Sequence, residues 1–203
     1  MIPAGTRPFF AFILRVVMRK QNPAIFAKGG FVVQQTVHPF PPVFDAFSRV
    51  LILGTMPSPK SRQTGFYYGN PQNRFWRVLC EVLQKPLPST AEGKRLLALS
   101  SRIALWDVLR SCDIEGADDG SIRNPVANDL SEILNRADIR AIFTTGTTAA
   151  RLYKLLCYPQ TGIPARILPS PSPANYRNYS YEDLVEAYRA IVPFCSEFIG
   201  NNA

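Results

Sequence analysis

Residues 51–83 constrain the fold more than any other segment, because they join an apolar run to a helical pattern through a long loop. The run ends at Gly54, and apolar residues return at helical spacing from Phe75 onward. Asn70 and Pro71 suit the N-cap and the first helical position, so the helix is predicted to begin there. The connection has about sixteen residues, whereas strand-to-helix loops usually have two to six. We expect function to explain the extra length, since open α/β sheets bind ligands at the carboxyl ends of their strands.

Three more apolar runs have the length of buried strands, and helical patterns lie between them. They occupy residues 103–109, 141–146 and 165–168. Strands that alternate with helices favour a parallel sheet with helices on both faces. The polar segment 111–128 is predicted to be a loop with a turn at its Asp-Asp-Gly sequence. The sequence therefore predicts a single α/β domain.

The first 37 residues differ from the rest, because they contain basic side chains but no acidic one. Their apolar run at residues 9–14 is too short to span a membrane. We predict that residues 1–37 form a poorly ordered N-terminal extension and that the domain comprises residues 38–203. A presequence, a secretory signal and an alternative start at Met18 are the other interpretations of this segment.

The net charge indicates which partners the chain can bind, and the spacing of its cysteines indicates whether it can hold a metal. The chain has 23 Lys and Arg against 15 Asp and Glu, a formal net charge of +8, which favours polyanionic partners. The four cysteines form no CxxC pair, and the single histidine, His38, is placed outside the predicted site, so no metal site is predicted. Widely spaced thiols and the absence of a run of about 20 apolar residues favour a cytoplasmic protein without a membrane partner.

Small polar side chains follow the first and the last predicted strand. Turns stiffened by proline, with exposed amides and hydroxyls, are suited to hold phosphates. Each turn alone would also fit an ordinary strand exit, but both occur in one basic chain. The candidates for contacts with a nucleic-acid backbone are Ser58, Ser61, Ser170, Ser172 and Asn175.

Three motifs in this order carry a resemblance to a known family. They read VLILGTMPSPKSRQTGFYYGNPQNRFW, LWDVLRSCDIEGADDGSIRNP and LPSPSPAN. From about residue 37 to residue 195 the chain resembles the uracil-DNA glycosylase superfamily, and within it the hypoxanthine (deoxyinosine) DNA glycosylase branch. The resemblance implies a three-layer α/β/α sandwich around a parallel four-stranded sheet, in agreement with the strand and helix pattern. It also implies a monofunctional glycosylase that needs no metal and no cofactor.

The resemblance implies a catalytic role for Asn73. Uracil-specific members carry a water-activating aspartate in the first motif, near the position of Met56, and a histidine at the position of Ser170. In the hypoxanthine branch an asparagine in the helix that follows the YYG sequence replaces them in catalysis, and Asn73 matches that asparagine. Cleavage of an N-glycosidic bond passes through an oxocarbenium-like sugar, so water needs placing more than deprotonating. A polar residue that satisfies free amides in the first helical turn is the alternative interpretation of Asn73.

A base pocket is predicted beside Asn73, formed by aromatic side chains and one carboxylate. Phe75 is predicted to lie in the core, and Tyr68 or Trp76 to stack on a base. By the resemblance, Trp106 and Asp107 lie where uracil-specific members place a base-reading asparagine. Asp107 can accept a hydrogen bond from a purine N–H, although capping or ion pairing would also explain it. The predicted pocket residues are Met56, Tyr68, Trp76, Trp106 and Asp107.

The predicted function is therefore hydrolytic release of a deaminated base, with hypoxanthine first and uracil second. The partner would be double-stranded DNA that contains such a base, the base would be flipped out of the duplex, and the protein would act as a monomer. A non-catalytic nucleic-acid-binding protein that keeps the fold is the alternative, supported by the missing aspartate and histidine. A nucleotide-binding α/β protein is disfavoured, because no GxGxxG or GxxxxGK loop occurs.

Overall fold

A computed structural model describes residues 26–28 and 31–195. Within that part, the backbone hydrogen bonds define eight strands, which belong to two sheets. They are β1 (Phe26–Lys28), β2 (Phe31–Val37), β3 (Val50–Gly54), β4 (Ile103–Asp107), β5 (Leu109–Ile114), β6 (Arg123–Ala127), β7 (Ala141–Thr145) and β8 (Ala165–Leu168).

The central sheet is parallel and has four strands in the order β4-β3-β7-β8. Every residue of β3, β4 and β7 is buried, which explains why these strands appear in the sequence as continuous apolar runs. In the register of β3 with β4, Gly54 lies opposite Asp107, so both residues end their strands at the same edge. The four-stranded parallel sheet confirms the predicted α/β fold class.

The helices pack on this sheet and on one another. They are α1 (Pro59–Thr64), α2 (Phe75–Val82), α3 (Ala91–Ser100), α4 (Ser131–Leu134), α5 (Thr147–Leu152), α6 (Tyr158–Thr161), α7 (Tyr181–Tyr188) and α8 (Val192–Cys195). A π-helical stretch connects α5 to α6. Helix α2 packs against α7, α3 against β4, and α5 against β7 and β8. A capping box at Ser180 and Asp183 fixes the start of α7.

The prediction of a polar loop at residues 111–128 is wrong. Most of this segment forms β5 and β6, which pair in a second, antiparallel sheet of the order β1-β2-β5-β6. Of the six side chains of β5, three are buried, namely Leu109, Cys112 and Ile114. Such a half-buried strand has polar residues on its other face, and they gave the segment the composition of a loop. The side-chain amide of Asn128 donates to the backbone oxygens of Asp107 and Leu109, where the chain passes from β4 into β5.

The N-terminal boundary of the domain bears on the predicted extension. Strands β1 and β2 lie within residues 1–37, and residues 34–37 of β2 pair with β5. Residues 1–25 lie outside the described part of the chain. We therefore propose that the domain begins before β2, rather than after it.

Helix α2 begins at Phe75, so the predicted start at Pro71 is wrong. The side-chain oxygen of Asn70 accepts from the backbone N–H of Gln72, and that of Asn73 accepts from the N–H of Phe75. These Asx turns offer the backbone an alternative to helical hydrogen bonds. Asn73 therefore precedes the helix instead of occupying its third position.

Candidate active site

A cavity of about 1380 Å³ lies at the carboxyl edge of the parallel sheet. Its walls are the segments that follow β3, β7 and β8, together with the turn between β5 and β6. This is the edge at which the sequence pattern predicts the site. A shallower hollow of about 730 Å³ lies elsewhere, beside α3, and contains none of the predicted site residues.

Close backbone packing brings the cavity walls together. Gly146 has φ +95°, and a Cβ atom there would lie 3.1 Å from Cβ of Ser170, so the segments after β7 and β8 approach closely. The backbone N–H of Arg74 donates to the oxygen of Pro171, and its guanidinium donates to the oxygen of Tyr179 at 2.7 Å. These bonds hold the segment before α2 against the segment after β8, and Asn73 lies in the cavity wall beside them.

Asn73 has a fixed side-chain orientation. Its Oδ1 accepts the N–H of Phe75 at 2.9 Å, a bond that the amide nitrogen could not accept. A carboxamide oxygen has two lone pairs, so Oδ1 retains capacity for one more donor, such as a water molecule. The position of Asn73 is therefore compatible with both interpretations, the structural and the catalytic one. The side chain satisfies a free backbone amide, and it also lines the cavity.

Asp107 forms part of the cavity and is paired with the single histidine. Its Oδ2 lies 2.8 Å from Nε2 of His38, and the two side chains are 6% and 2% exposed. Its Oδ1 lies against Gly54, where a Cβ atom would collide with it. His38 does not line the cavity, but through Asp107 it contacts the site, which the sequence did not predict. The segment before β3 brings it in, since the backbone N–H of His38 donates to the oxygen of Arg110 in β5.

Of the two aromatic residues predicted to stack on a base, Tyr68 and Trp76, only Tyr68 lines the cavity. Its ring stacks on Phe75 with centroids 3.7 Å apart and an interplanar angle of 11°, and its hydroxyl lies 3.3 Å from Oγ1 of Thr145. Burial raises the pKa of Tyr68, and the Asp107 carboxylate raises it further, so the phenol stays neutral. One face of the ring is covered by Phe75, which is fully buried as the sequence predicted.

Neither tryptophan lines the cavity, so we exclude both from the predicted base pocket. Trp76 is 3% exposed, its Nε1 donates to the backbone oxygen of Tyr67, and its ring stacks on Phe66. Trp106 is also buried and precedes Asp107 in β4, so the two side chains point to opposite faces of the sheet. Met56, by contrast, lies in the cavity wall, and its contact with a base remains a prediction.

The five residues predicted to bind the DNA backbone all line the cavity, and each has a local hydrogen-bond partner. Ser58 caps α1 and bonds the N–H and hydroxyl of Ser61. Ser172 caps the short 3-10 turn that follows β8, and the Ser170 hydroxyl accepts from the N–H of Ser172. Asn175 accepts from the amide of Asn178. These hydrogen bonds fix the side chains in place, as a preformed binding surface requires. Their contact with phosphates remains a prediction.

Sequence reasoning missed Asp119, which it assigned to an ordinary turn. The Thr55 hydroxyl donates to Oδ2 of Asp119 at 2.9 Å, and both residues line the cavity. Desolvation raises the pKa of Asp119, and the Thr55 hydrogen bond opposes part of that rise. Among the described lining residues there is no Lys or Arg, whereas six are acidic: Asp107, Glu115, Asp118, Asp119, Asp183 and Glu186.

The described residues offer neither a metal site nor a membrane span. Within residues 26–28 and 31–195, no group of three or more His, Cys, Asp and Glu side chains is arranged to hold a metal ion. Over the same described part, no helix is both long and apolar enough to cross a bilayer.

Comparison with known proteins assigns the family. A model of the uracil DNA glycosylase superfamily matches residues 41–192. Two relatives named hypoxanthine DNA glycosylase are 37% identical over 140 residues (Methanosarcina acetivorans; 68% of this chain, 87% of the relative) and 34% identical over 141 residues (Methanosarcina barkeri; 68% and 88%). A solution NMR structure from Methanosarcina acetivorans, described as a candidate uracil DNA glycosylase, superposes with a TM-score of 0.65 at 31% identity and covers 76% of this chain and 97% of its own. As its motifs predicted, the chain belongs to the uracil DNA glycosylase superfamily.

Proposed function

We propose that this chain removes hypoxanthine from double-stranded DNA, and uracil less readily, by hydrolysis with a water held by Asn73. That it is a DNA glycosylase follows from its family and from relatives named hypoxanthine DNA glycosylase. The observation that carries the finer proposal is that Asn73 and Asp107 line one cavity at the carboxyl edge of the sheet. One side chain has spare capacity for water, and the other offers a carboxylate oxygen.

The reaction needs placement and charge more than a strong base. As the glycosidic bond breaks, its electron pair leaves with the base and the sugar becomes cationic. Water then attacks C1′ and loses a proton, and the base anion takes up a proton, so atoms and charge balance without a cofactor. The spare lone pair of Asn73 Oδ1 can orient this water, and the acidic cavity wall favours the cationic sugar.

Asp107 supports the choice of a deaminated base. Deamination of adenine turns the lone pair at N1 into an N–H, and deamination of cytosine does the same at N3. A carboxylate accepts from that N–H and repels the lone pair of the parent base. Among the contacts within the described part of the chain, Oδ1 of Asp107 accepts no hydrogen bond, so it is free to accept one from a base.

A base inside a duplex cannot reach this cavity, so flipping is part of the proposal. The face of Tyr68 that is turned away from Phe75 offers a surface for stacking. Acidic walls repel phosphates, so the DNA backbone would stay at the rim. The small polar residues of the segments after β3 and β8 are the proposed contacts there, namely Ser58, Ser61, Ser170, Ser172 and Asn175.

DNA binding should weaken steeply with salt. The chain has a formal net charge of +8, and none of the described residues that line the acidic cavity is a Lys or Arg, so the basic side chains of the described part lie outside the cavity. Neutralising a handful of phosphates gives a log–log slope of binding constant against salt of several units. Fluorescence anisotropy with an intact duplex from about 50 to 200 mM salt measures this slope. An affinity that barely changes over that range would contradict the predicted mode of binding.

Release of the base itself tests the proposed activity. Duplexes with a single hypoxanthine or uracil are incubated with excess protein, and alkali then cleaves the abasic sites. We expect cleavage at hypoxanthine, slower cleavage at uracil and none at adenine. Binding to all duplexes without any cleavage would instead favour the alternative, a nucleic-acid-binding protein that has kept the fold.

A further inference from the structure

His38 is held in one position beside the cavity. Its backbone N–H donates to the backbone oxygen of Arg110, and its ring packs against both Phe40 and Tyr67, with centroids 5.8 and 5.9 Å away. The ring is almost fully buried, and it takes no part in the water placement or base reading described above. Within the described part of the chain, its polar partner in the site is Asp107, at 2.8 Å.

The hydrogen bonds of the ring determine which nitrogen carries the proton. The backbone N–H of Phe40 points at Nδ1 of His38 over 3.2 Å, so Nδ1 must accept. In a neutral imidazole the other nitrogen then bears the hydrogen, and Nε2–H donates to Oδ2 of Asp107. A ring with its proton on Nδ1 would set two N–H groups against each other. His38 is thus a donor toward Asp107 and cannot readily become an acceptor.

We propose, building on the proposed function, that His38 is a positioning residue that selects which bases the cavity accepts. By occupying Oδ2 with its N–H, it leaves Oδ1 of Asp107 as an acceptor toward the cavity. Gly54 allows this orientation, because any side chain at position 54 would occupy the space that Oδ1 fills. The fixed acceptor favours bases with a ring N–H, such as hypoxanthine and uracil, over adenine and cytosine. The acceptor thereby allows the cavity to distinguish each deaminated base from the base it was formed from.

An amide at position 107 makes this role visible. In Asp107→Asn, the His38 N–H should take the amide oxygen, and the amide NH₂ group then faces the cavity. When hypoxanthine enters, this NH₂ group would face the N1–H of the base, and two donors repel each other. Release of hypoxanthine from DNA should therefore slow. Without the His38 donor, the amide could rotate and present its oxygen to the base. Removing His38 should therefore harm the wild-type protein and help the Asp107→Asn protein.

The experiment measures single-turnover release of hypoxanthine by six proteins. They carry His38, His38→Leu or His38→Gln, each with Asp107 or with Asp107→Asn. In the Asp107 background we expect His38→Leu to slow release about tenfold or more, as for a lost hydrogen bond to a charged group. His38→Gln should restore most of the rate, because its amide can still donate. In the Asp107→Asn background both changes should speed release, since glutamine can also accept.

Thermal melting of the same six proteins separates this effect from misfolding, and the glutamine variants keep the test valid if leucine prevents folding. A loss by the same factor in both backgrounds would mean that His38 only supports the structure, and would overturn the inference. If the protein with both His38 and Asp107 releases no base, the proposed function fails instead. Release by that protein together with unchanged rates in both His38 variants would overturn the inference alone.

Discussion

Replacing Asn73 with Ala should slow single-turnover base release by about 10²–10³-fold, as when one preorganised hydrogen bond to a reacting group is lost. The affinity for DNA should stay nearly the same, because the Asn73 side chain is proposed to hold the attacking water and not to contact the DNA backbone. Asn73→Asp keeps an acceptor oxygen and adds a negative charge that faces the cationic sugar, so it should retain more activity than Ala. Single-turnover cleavage and duplex binding, measured on the same preparations, test both expectations.

Asn70→Ala is the matched control for this experiment. Asn70 makes the same kind of turn, with Oδ1 accepting the N–H of Gln72 at 3.0 Å, but it does not line the cavity. Losing such a bond to the backbone costs about 0.5–2 kcal/mol of stability, by analogy with N-caps. Both alanine variants should therefore melt at lower temperature, and only Asn73→Ala should lose cleavage.

If both variants melt lower and both cleave normally, Asn73 merely supports the turn before α2. The search for the water-holding group would then move to Asp119, whose carboxylate lines the same cavity beside Thr55. Asp119→Asn would be the next variant to measure. Desolvation raises the pKa of Asp119. If its carboxylate takes part in the reaction, the pH profile of base release should show a titration above the usual pH range for aspartate.

The parallel sheet could be predicted because its strands are buried on both faces. Residues such as Leu51, Ile52 and Leu105 have no solvent-facing neighbours in their strands, so the apolar runs are unbroken. The antiparallel sheet left no such signal, since only half of the β5 side chains are buried and none of the β6 side chains is. The start of α2 was misplaced because asparagine side chains compete with the helix for backbone amides.

Much of the site could be predicted from strand ends alone, because the carboxyl ends of parallel strands share an edge. The site contacts that were missed are made across long separations: His38 and Asp107 are 69 residues apart, and Thr55 and Asp119 are 64 apart. Nothing in local spacing reports such a pair. Trp76 was predicted to lie in the pocket as a flat surface for a base, but its indole N–H donates inside the protein, to the backbone oxygen of Tyr67.

Gly54→Ala should abolish most activity and lower stability together. The new methyl group would collide with Oδ1 of Asp107 and lie 3.3 Å from the hydroxyl of Tyr68. Both strands are fully buried, so neither can move aside without cost, and overpacking of this kind costs about 1–3 kcal/mol. Displacing the carboxylate by about 1 Å would slow base release about 10²-fold. Thermal melting and single-turnover cleavage measure the two effects.

The same substitution in an Asp107→Ala background identifies the cause. Without the carboxylate the methyl group has room, so the added loss of stability from Gly54→Ala should largely vanish, and the two changes should be strongly non-additive. Activity should stay low, because the acceptor that Gly54 accommodates is gone. If Gly54→Ala costs the same stability with and without the carboxylate, the glycine serves the strand backbone and not Asp107. The close approach of β3 to Asp107 would then have no part in base recognition.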